Sequence, residues 1–224
     1  MASRMLHYVM ARELLQELEV KDKNRFLVGA LLPDASSHKD GSYDVAHFYE
    51  EVVFYVEAKG AVPYKGINWR RFAEKYEDIL WKDDMCQGYL CHLIMDAVWF
   101  HDIANKYVRI YEYPKRKEMY QKGYEDFNKL NVILRKQYGF TNPGLKVEAV
   151  SSEEVKQELI SVIFAGFEED FAMEGDWLPE DLELYPFDAL IEYMEKCKSI
   201  CLGEIEAMKQ RKCFVECKQF FSRK

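Results

Sequence analysis

The sequence predicts an all-α fold, a single-domain bundle of about seven or eight helices, and three observations carry that expectation. Apolar residues recur at helical spacing through most of the 224 residues. Strand signals are scarce, since the alternation from Val147 to Val150 is too short to matter. The 49% apolar content, with 14 Phe, 15 Tyr and 4 Trp, supplies a core large enough for one domain across 1–224.

The elements follow in order. Over 4–18, Met5, Leu6, Val9, Met10, Leu14, Leu15 and Leu18 fall on one helical face, with Ser3 placed to cap it and His7 near its first turn. Residues 24–32 read as a short apolar helix stopped by Pro33, and 34–42 as a polar loop. A helix is expected over 44–58, carrying His47, Phe48, Val52, Val53 and Tyr55 and ending at Lys59-Gly60. A linker with Pro63 and Gly66 leads to a helix over about 69–81 that Asn68 can cap. A long apolar helix spans about 85–105, and Pro114 opens another to about 138. Thr141-Asn142-Pro143-Gly144 is a turn. Ser151-Ser152-Glu153-Glu154 fits a capping box opening a helix to about 167. After an acidic stretch over 168–186, Pro186 starts a final helical extension over about 186–222. No internal repeat or low-complexity tract interrupts the chain.

Composition excludes several classes. A net charge of −8 and a pI near 5.3 argue against a long nucleic-acid partner, which needs a basic stripe. They leave room for a small phosphorylated substrate, because a bound cation can supply local positive charge. No run of apolar residues reaches the roughly 18 to 20 of a membrane span. The start of the chain lacks a secretory pattern, so a cytoplasmic location is expected. Cys197, Cys201, Cys213 and Cys217 form two C-x-x-x-C pairs in a helical segment, unlike the C-x-x-C spacing of zinc ribbons. These four, with Cys86 and Cys91, read as reduced packing residues.

The chemistry concentrates in the first half of the chain. His92 and Asp96 stand four residues apart on the apolar helix and so share a face. Asp34 follows Pro33 at a rigid corner, His47 lies on the next segment, and His7 on the first helix. Imidazoles and carboxylates together suit zinc or another divalent transition ion better than calcium. Five candidates exceed one tetrahedral shell, so Asp96 can bridge two ions. Each residue alone also has an ordinary reading: a core histidine, a turn aspartate, a helix-internal pair.

The succession Met5-Leu6-His7-Tyr8-Val9-Met10-Ala11, then Phe26 through Asp34, then His47-Phe48, then Gly88 through Asp96 resembles the bacterial zinc-dependent phospholipase C family over roughly 1–105. The resemblance implies an all-helical phospholipase C-like fold, shared with single-strand nucleases, and a zinc cluster that hydrolyses phosphodiesters. It implies Asp34, His47, His92 and Asp96 as ligands of one zinc, Asp96 bridging to a second that His7 also holds, and His101 as a ligand of the remaining one. Asp34, at the metal edge, is then the catalytic residue that orients or deprotonates water, giving a metal-bound hydroxide that attacks phosphorus. His38 and Lys39 are candidates for binding substrate phosphate, though the same pair reads as an exposed loop. Tyr43, Trp69 and Trp99 are candidate pocket walls, with core packing as the commoner fate of such rings.

The chain departs from the family downstream. No histidine follows His101, so the family's H-x-x-x-E site is absent or rebuilt from Glu112 or Glu118, leaving one or two metals. A second enzyme reading is an HD-type phosphohydrolase using His47, His101, Asp102 and a carboxylate such as Asp170. A third is a non-catalytic, metal-stabilised helical protein, with the helix from Phe187 to Phe221 either a partner surface or ordinary core.

Overall fold

The computed structural model describes residues 2–56, 60–147, 149–150 and 152–223. Helix α6 (Asp84–Val98) is the axis of the fold: every one of its residues is buried. A helix that is apolar on all sides must be enclosed. Helices α1 (Arg4–Leu14), α2 (Lys23–Gly29), α4 (Trp69–Lys75), α5 (Glu77–Leu80) and α10 (Phe187–Lys209) all touch it. Helices α8 (Lys115–Tyr138) and α9 (Gln157–Ala172) pack on α1 from outside. One continuous hydrophobic core runs from Ala2 to Phe220.

Several elements match expectation, and the caps show why. Ser3 accepts the Leu6 N–H at the start of α1, and Asn68 accepts from Arg70 and Arg71 at the start of α4. Pro114 precedes α8, and Gly139 closes it with φ 64°. The 141–144 turn is held by the Asn142 side chain accepting the Gly144 N–H at 2.9 Å. All six cysteines are free, and only Cys213 is exposed.

The helix expected over 44–58 is not formed. α3 (Ser42–Ala46) ends at His47, and Phe48 takes φ 50°, which no helix accommodates. The chain then forms a hairpin of β1 (Tyr49–Val56) and β2 (Gly60–Ile67), in register Val52↔Tyr64 and Phe54↔Val62. Val52 to Val56 is a run of β-branched and aromatic residues whose helical periodicity is fortuitous. Phe54 packs edge-on against Tyr64 at 5.2 Å. The expected stop at Lys59 lies outside the described residues.

Other boundaries shift for local reasons. α1 stops at Leu14, and the 69–81 helix breaks at Tyr76 into α4 and α5. α6 passes into a π-helical turn (Trp99–Ala104) and the short α7 (Asn105–Tyr107). The capping box over 151–154 does not open a helix; Ser151 lies outside the described residues, and α9 starts at Gln157. Glu154 instead accepts from Tyr76 and Ser152 and pairs with Lys75, so tertiary contacts consume the capping carboxylate. The final helix ends at Lys209, not near 222. A return loop, in which Val215 N–H donates to buried Glu204 at 3.0 Å, leads to a 3-10 turn (Cys217–Phe220). Strand β3 (Ser222–Arg223) then adds antiparallel to β2.

Candidate metal centre

Close packing between α2 and α6 sets up the site. A Cβ on Gly88 would lie 2.0 Å from the Phe26 carbonyl oxygen, and one on Gly29 2.0 Å from that of Met85. Only glycine allows the two backbones to come so near. The approach brings the Ala30 carbonyl within 2.8 Å of His92 Nδ1 on α6. Just beyond, Pro33 stiffens the 3-10 turn Leu32–Asp34, which aims Asp34 at the same point.

Five of the expected side chains meet there: His7 from α1, Asp34, His47 at the end of α3, and His92 with Asp96 from α6. His7, His47, His92 and Asp96 are fully buried, and Asp34 is 5% exposed. His47 Nε2 lies 3.3 Å from His92 Nε2, 3.6 Å from Asp34 Oδ1 and 3.5 Å from Asp96 Oδ2. His92 Nε2 lies 3.9 Å from Asp34 Oδ1 and 4.0 Å from Asp96 Oδ2. His7 stacks on His92 at 3.8 Å, its Nε2 3.3 Å from Asp96 Oδ1. Both His7 nitrogens and Asp34 Oδ1 are buried without a hydrogen-bond partner.

The proton inventory is decisive. His92 Nδ1 faces the Ala30 carbonyl, and His47 Nδ1 faces the Tyr43 carbonyl at 3.0 Å. A carbonyl only accepts, so each neutral ring carries its proton on Nδ1 and presents a bare lone pair at Nε2. The two lone pairs confront each other at 3.3 Å between two carboxylates. Without a cation that arrangement is repulsive and undersatisfied. A tetrahedral ion with ligands at about 2.0–2.1 Å has ligand–ligand edges of about 3.3 Å, close to the shorter separations here. Backbone carbonyls holding the remote nitrogen are the usual support of a metal-binding imidazole. The residues therefore fit a divalent ion, in the groups His7–Asp34–His92 and His47–His92–Asp96.

Protonation states agree. Burial pushes the His92 imidazole down to about 3, so it stays neutral. Burial opposes ionisation of both carboxyls; the His47 contact and the other imidazoles outweigh it at Asp34, and the positive N-terminal charge followed by the His7 contact outweighs it at Asp96, so both lie below the usual range. Two supporting contacts were not foreseen. The Ala2 N–H donates to Asp96 Oδ1 at 3.0 Å, and the Tyr43 hydroxyl donates to Oδ2 at 3.3 Å. Tyr43 also stacks on His47 at 3.8 Å, which makes it a wall of the site. Its spacing four residues before His47 was the available signal.

The remaining candidates lie apart. His101 is half exposed, its Nδ1 on Asp102 at 2.6 Å, and it joins neither ligand group. Nine residues beyond His92 at ~100° each, it falls on the opposite helical face. Asp102 pairs with Lys196, and Asp170 with Arg4 and Asn131, so the HD-type set is not assembled. Glu118 pairs with Lys115 on the surface, and Glu112 is exposed. His38 and Lys39 are exposed, with His38 stacked on Tyr43 at 3.7 Å. Trp69 and Trp99 are core residues, not pocket walls; Trp99 packs on Phe127, Tyr185 and Tyr193.

A mostly helical fold around a buried imidazole–carboxylate centre defines the class: a helical protein built to hold a divalent ion. The model of the zinc dependent phospholipase C family matches residues 6–141, more than half of the chain, and the chain belongs to that family. No curated protein and no solved structure matches it significantly. Family membership makes it a zinc-dependent, phospholipase-like hydrolase. No helix among the described residues is long and apolar enough to cross a membrane.

Proposed function

We propose that the chain hydrolyses phosphoric esters of the phospholipid-headgroup type, with zinc held by His7, Asp34, His47, His92 and Asp96. The confrontation of the bare His47 and His92 Nε2 atoms between two ionised carboxylates carries the reading. Zinc, when bound, polarises a phosphoryl oxygen and lowers the pKa of a coordinated water toward about 7.

The protein's own residues supply the rest. Asp34 is the least buried of the five and has an unpartnered oxygen. It orients the attacking water and accepts its proton. Asp96 spans both halves of the cluster, one oxygen toward His7 and the other toward His47. The Tyr43 hydroxyl and the Ala2 N–H fix that orientation. His38, stacked on the outer face of Tyr43, and Lys39 contact the substrate phosphate.

Metal analysis of the purified protein, followed by assays with water-soluble phosphodiesters and phosphomonoesters, tests this. The expected result is stoichiometric zinc and diester hydrolysis lost in Asp34→Asn. A metal-free protein whose stability ignores His92→Ala and Asp96→Ala would sink it. The full burial of four of the five residues favours a second reading, a metal held for structure alone. A zinc-loaded protein inert on every phosphate ester would select that one.

A further inference from the structure

A basic, aromatic surface lies outside the metal centre, on the loop between α7 and α8 and the first turns of α8. Between residues 106 and 122 stand Lys106, Arg109, Lys115, Arg116, Lys117 and Lys122 against Glu112 and Glu118, a net charge of +4 in a chain of −8. Among these cations stand exposed apolar groups: Ile110 is 64% and Tyr113 67% exposed. Arg116 donates to the carbonyls of Tyr111 at 2.7 Å and Arg109 at 3.0 Å, which fixes the shape of the loop. The Lys115–Glu118 and Lys122–Glu183 pairs are exposed and weak.

This surface connects to the buried ligands. Asn105 donates to Ser222 Oγ, and Ser222 pairs with Lys65, so the segment adjoins the base of the hairpin. The Arg109 guanidinium sits 4.6 Å over the Phe100 ring. Phe100 packs on Tyr49 at 6.1 Å, and Tyr49 on Tyr43 at 6.0 Å, which reaches Asp96. A line of rings thus joins the patch to the site.

We propose that this surface docks the protein on an anionic phospholipid bilayer. Lysines meet headgroup phosphates, while Tyr113 and Ile110 enter the interfacial layer. Charge complementarity selects the partner and the pose. A chain of −8 is repelled by an anionic membrane, and this patch reverses the sign locally and so sets orientation. Exposed Ile110, an aliphatic group on which no base can stack, favours lipid over a nucleic acid, which takes a basic groove with aromatic stacking platforms. The choice of lipid rests on the phosphoester-hydrolase reading.

Co-sedimentation of the full chain with vesicles tests the proposal without turnover. Binding is expected to phosphatidylcholine vesicles containing phosphatidylserine, much less to pure phosphatidylcholine, and to fall with added salt. Lys115→Gln with Lys117→Gln should weaken binding about 30-fold, at about five-fold per cation. Lys136→Gln with Lys209→Gln removes the same charge elsewhere, Lys136 lying about 30 Å along α8, and should leave binding unchanged. No binding to anionic vesicles, equal binding to both vesicle types, equal loss in both double variants, or tighter binding to a single-stranded oligonucleotide would each overturn the proposal. Hydrolysis of a water-soluble phosphodiester, scored separately, shows whether the catalytic reading fails independently.

Discussion

The two ligand groups share His92, so its replacement by alanine removes a nitrogen from both. Two costs follow, and they separate by their dependence on metal. The metal-independent cost is a buried cavity, about 2–5 kcal/mol for large-to-small core changes, plus about 1 kcal/mol for the donor lost by the Ala30 carbonyl. In metal-free protein a separate gain offsets part of it, because the confrontation of Nε2 lone pairs with His47 disappears as well. The metal-dependent cost is linkage. An ion at a thousand times its Kd stabilises the native state by about 4 kcal/mol. In a chain of this length 1 kcal/mol moves Tm by about 2–4 °C, so chelation should lower the wild-type Tm by about 8–16 °C. With the shared ligand gone, the chelator-dependent shift should shrink to about 3 °C or less. Thermal melting of both proteins, each with zinc and with chelator, reads all four values. A wild type indifferent to chelation, or a His92→Ala protein keeping the full shift, would refute the assignment.

Gly88→Ala should destabilise by about 3 kcal/mol or more whether or not metal is present, because its Cβ has no room against the Phe26 carbonyl; denaturant unfolding measures it. His101→Ala should cost about 0.5 kcal/mol or less and leave the chelator-dependent shift intact, since the ring is half exposed and paired with Asp102; loss of that shift would return His101 to the ligand set. Glu154→Gln tests a pH dependence. Burial raises the Glu154 pKa, but Lys75, Tyr76 and Ser152 outweigh it and hold the carboxyl low. The folded pKa lies below the unfolded value, so the carboxylate stabilises above about pH 4.5 and loses that contribution as the pH falls through the folded pKa. The stability gap between wild type and Glu154→Gln should therefore be widest near neutrality and close on acidification. A gap constant with pH would be contrary.

The legible parts of the fold were those whose signals are local. α8 is bracketed by Pro114 and Gly139, and its ends were predicted within one residue. Ser3 and Asn68 cap as their residue types require. The segment after His47 was misread because two glutamates and a fortuitous spacing imitate a helix face. What makes it a strand is the positive φ at Phe48 and a partner, β2, that itself pairs with β3 from the far end of the chain. Likewise Glu154, a good capping residue by type, is engaged by Tyr76 and Lys75 from α4 and its end. Long-range partners override local preference in both places, and a single sequence does not display them.

The site was legible for a different reason. α6 is enclosed on every side, so any polar group on it must find a partner inside the protein. His92 and Asp96 therefore could not be neutral decoration once the helix was recognised as buried throughout. His92 meets His47, whose Nδ1 is already committed to the Tyr43 carbonyl, while Asp96 meets His7 and His47 as a carboxylate. Among the described residues outside the cluster, Ala2 and Tyr43 supply two donors, both to Asp96. Hydrogen bonding thus satisfies the carboxylate of Asp96 but leaves both nitrogens of His7 and one oxygen of Asp34 without partners, and sets the Nε2 atoms of His47 and His92 against each other. A cation compensates all of these groups together, and the Gly29–Gly88 approach that brings α2 against α6 serves the same end by delivering the Ala30 carbonyl that fixes His92.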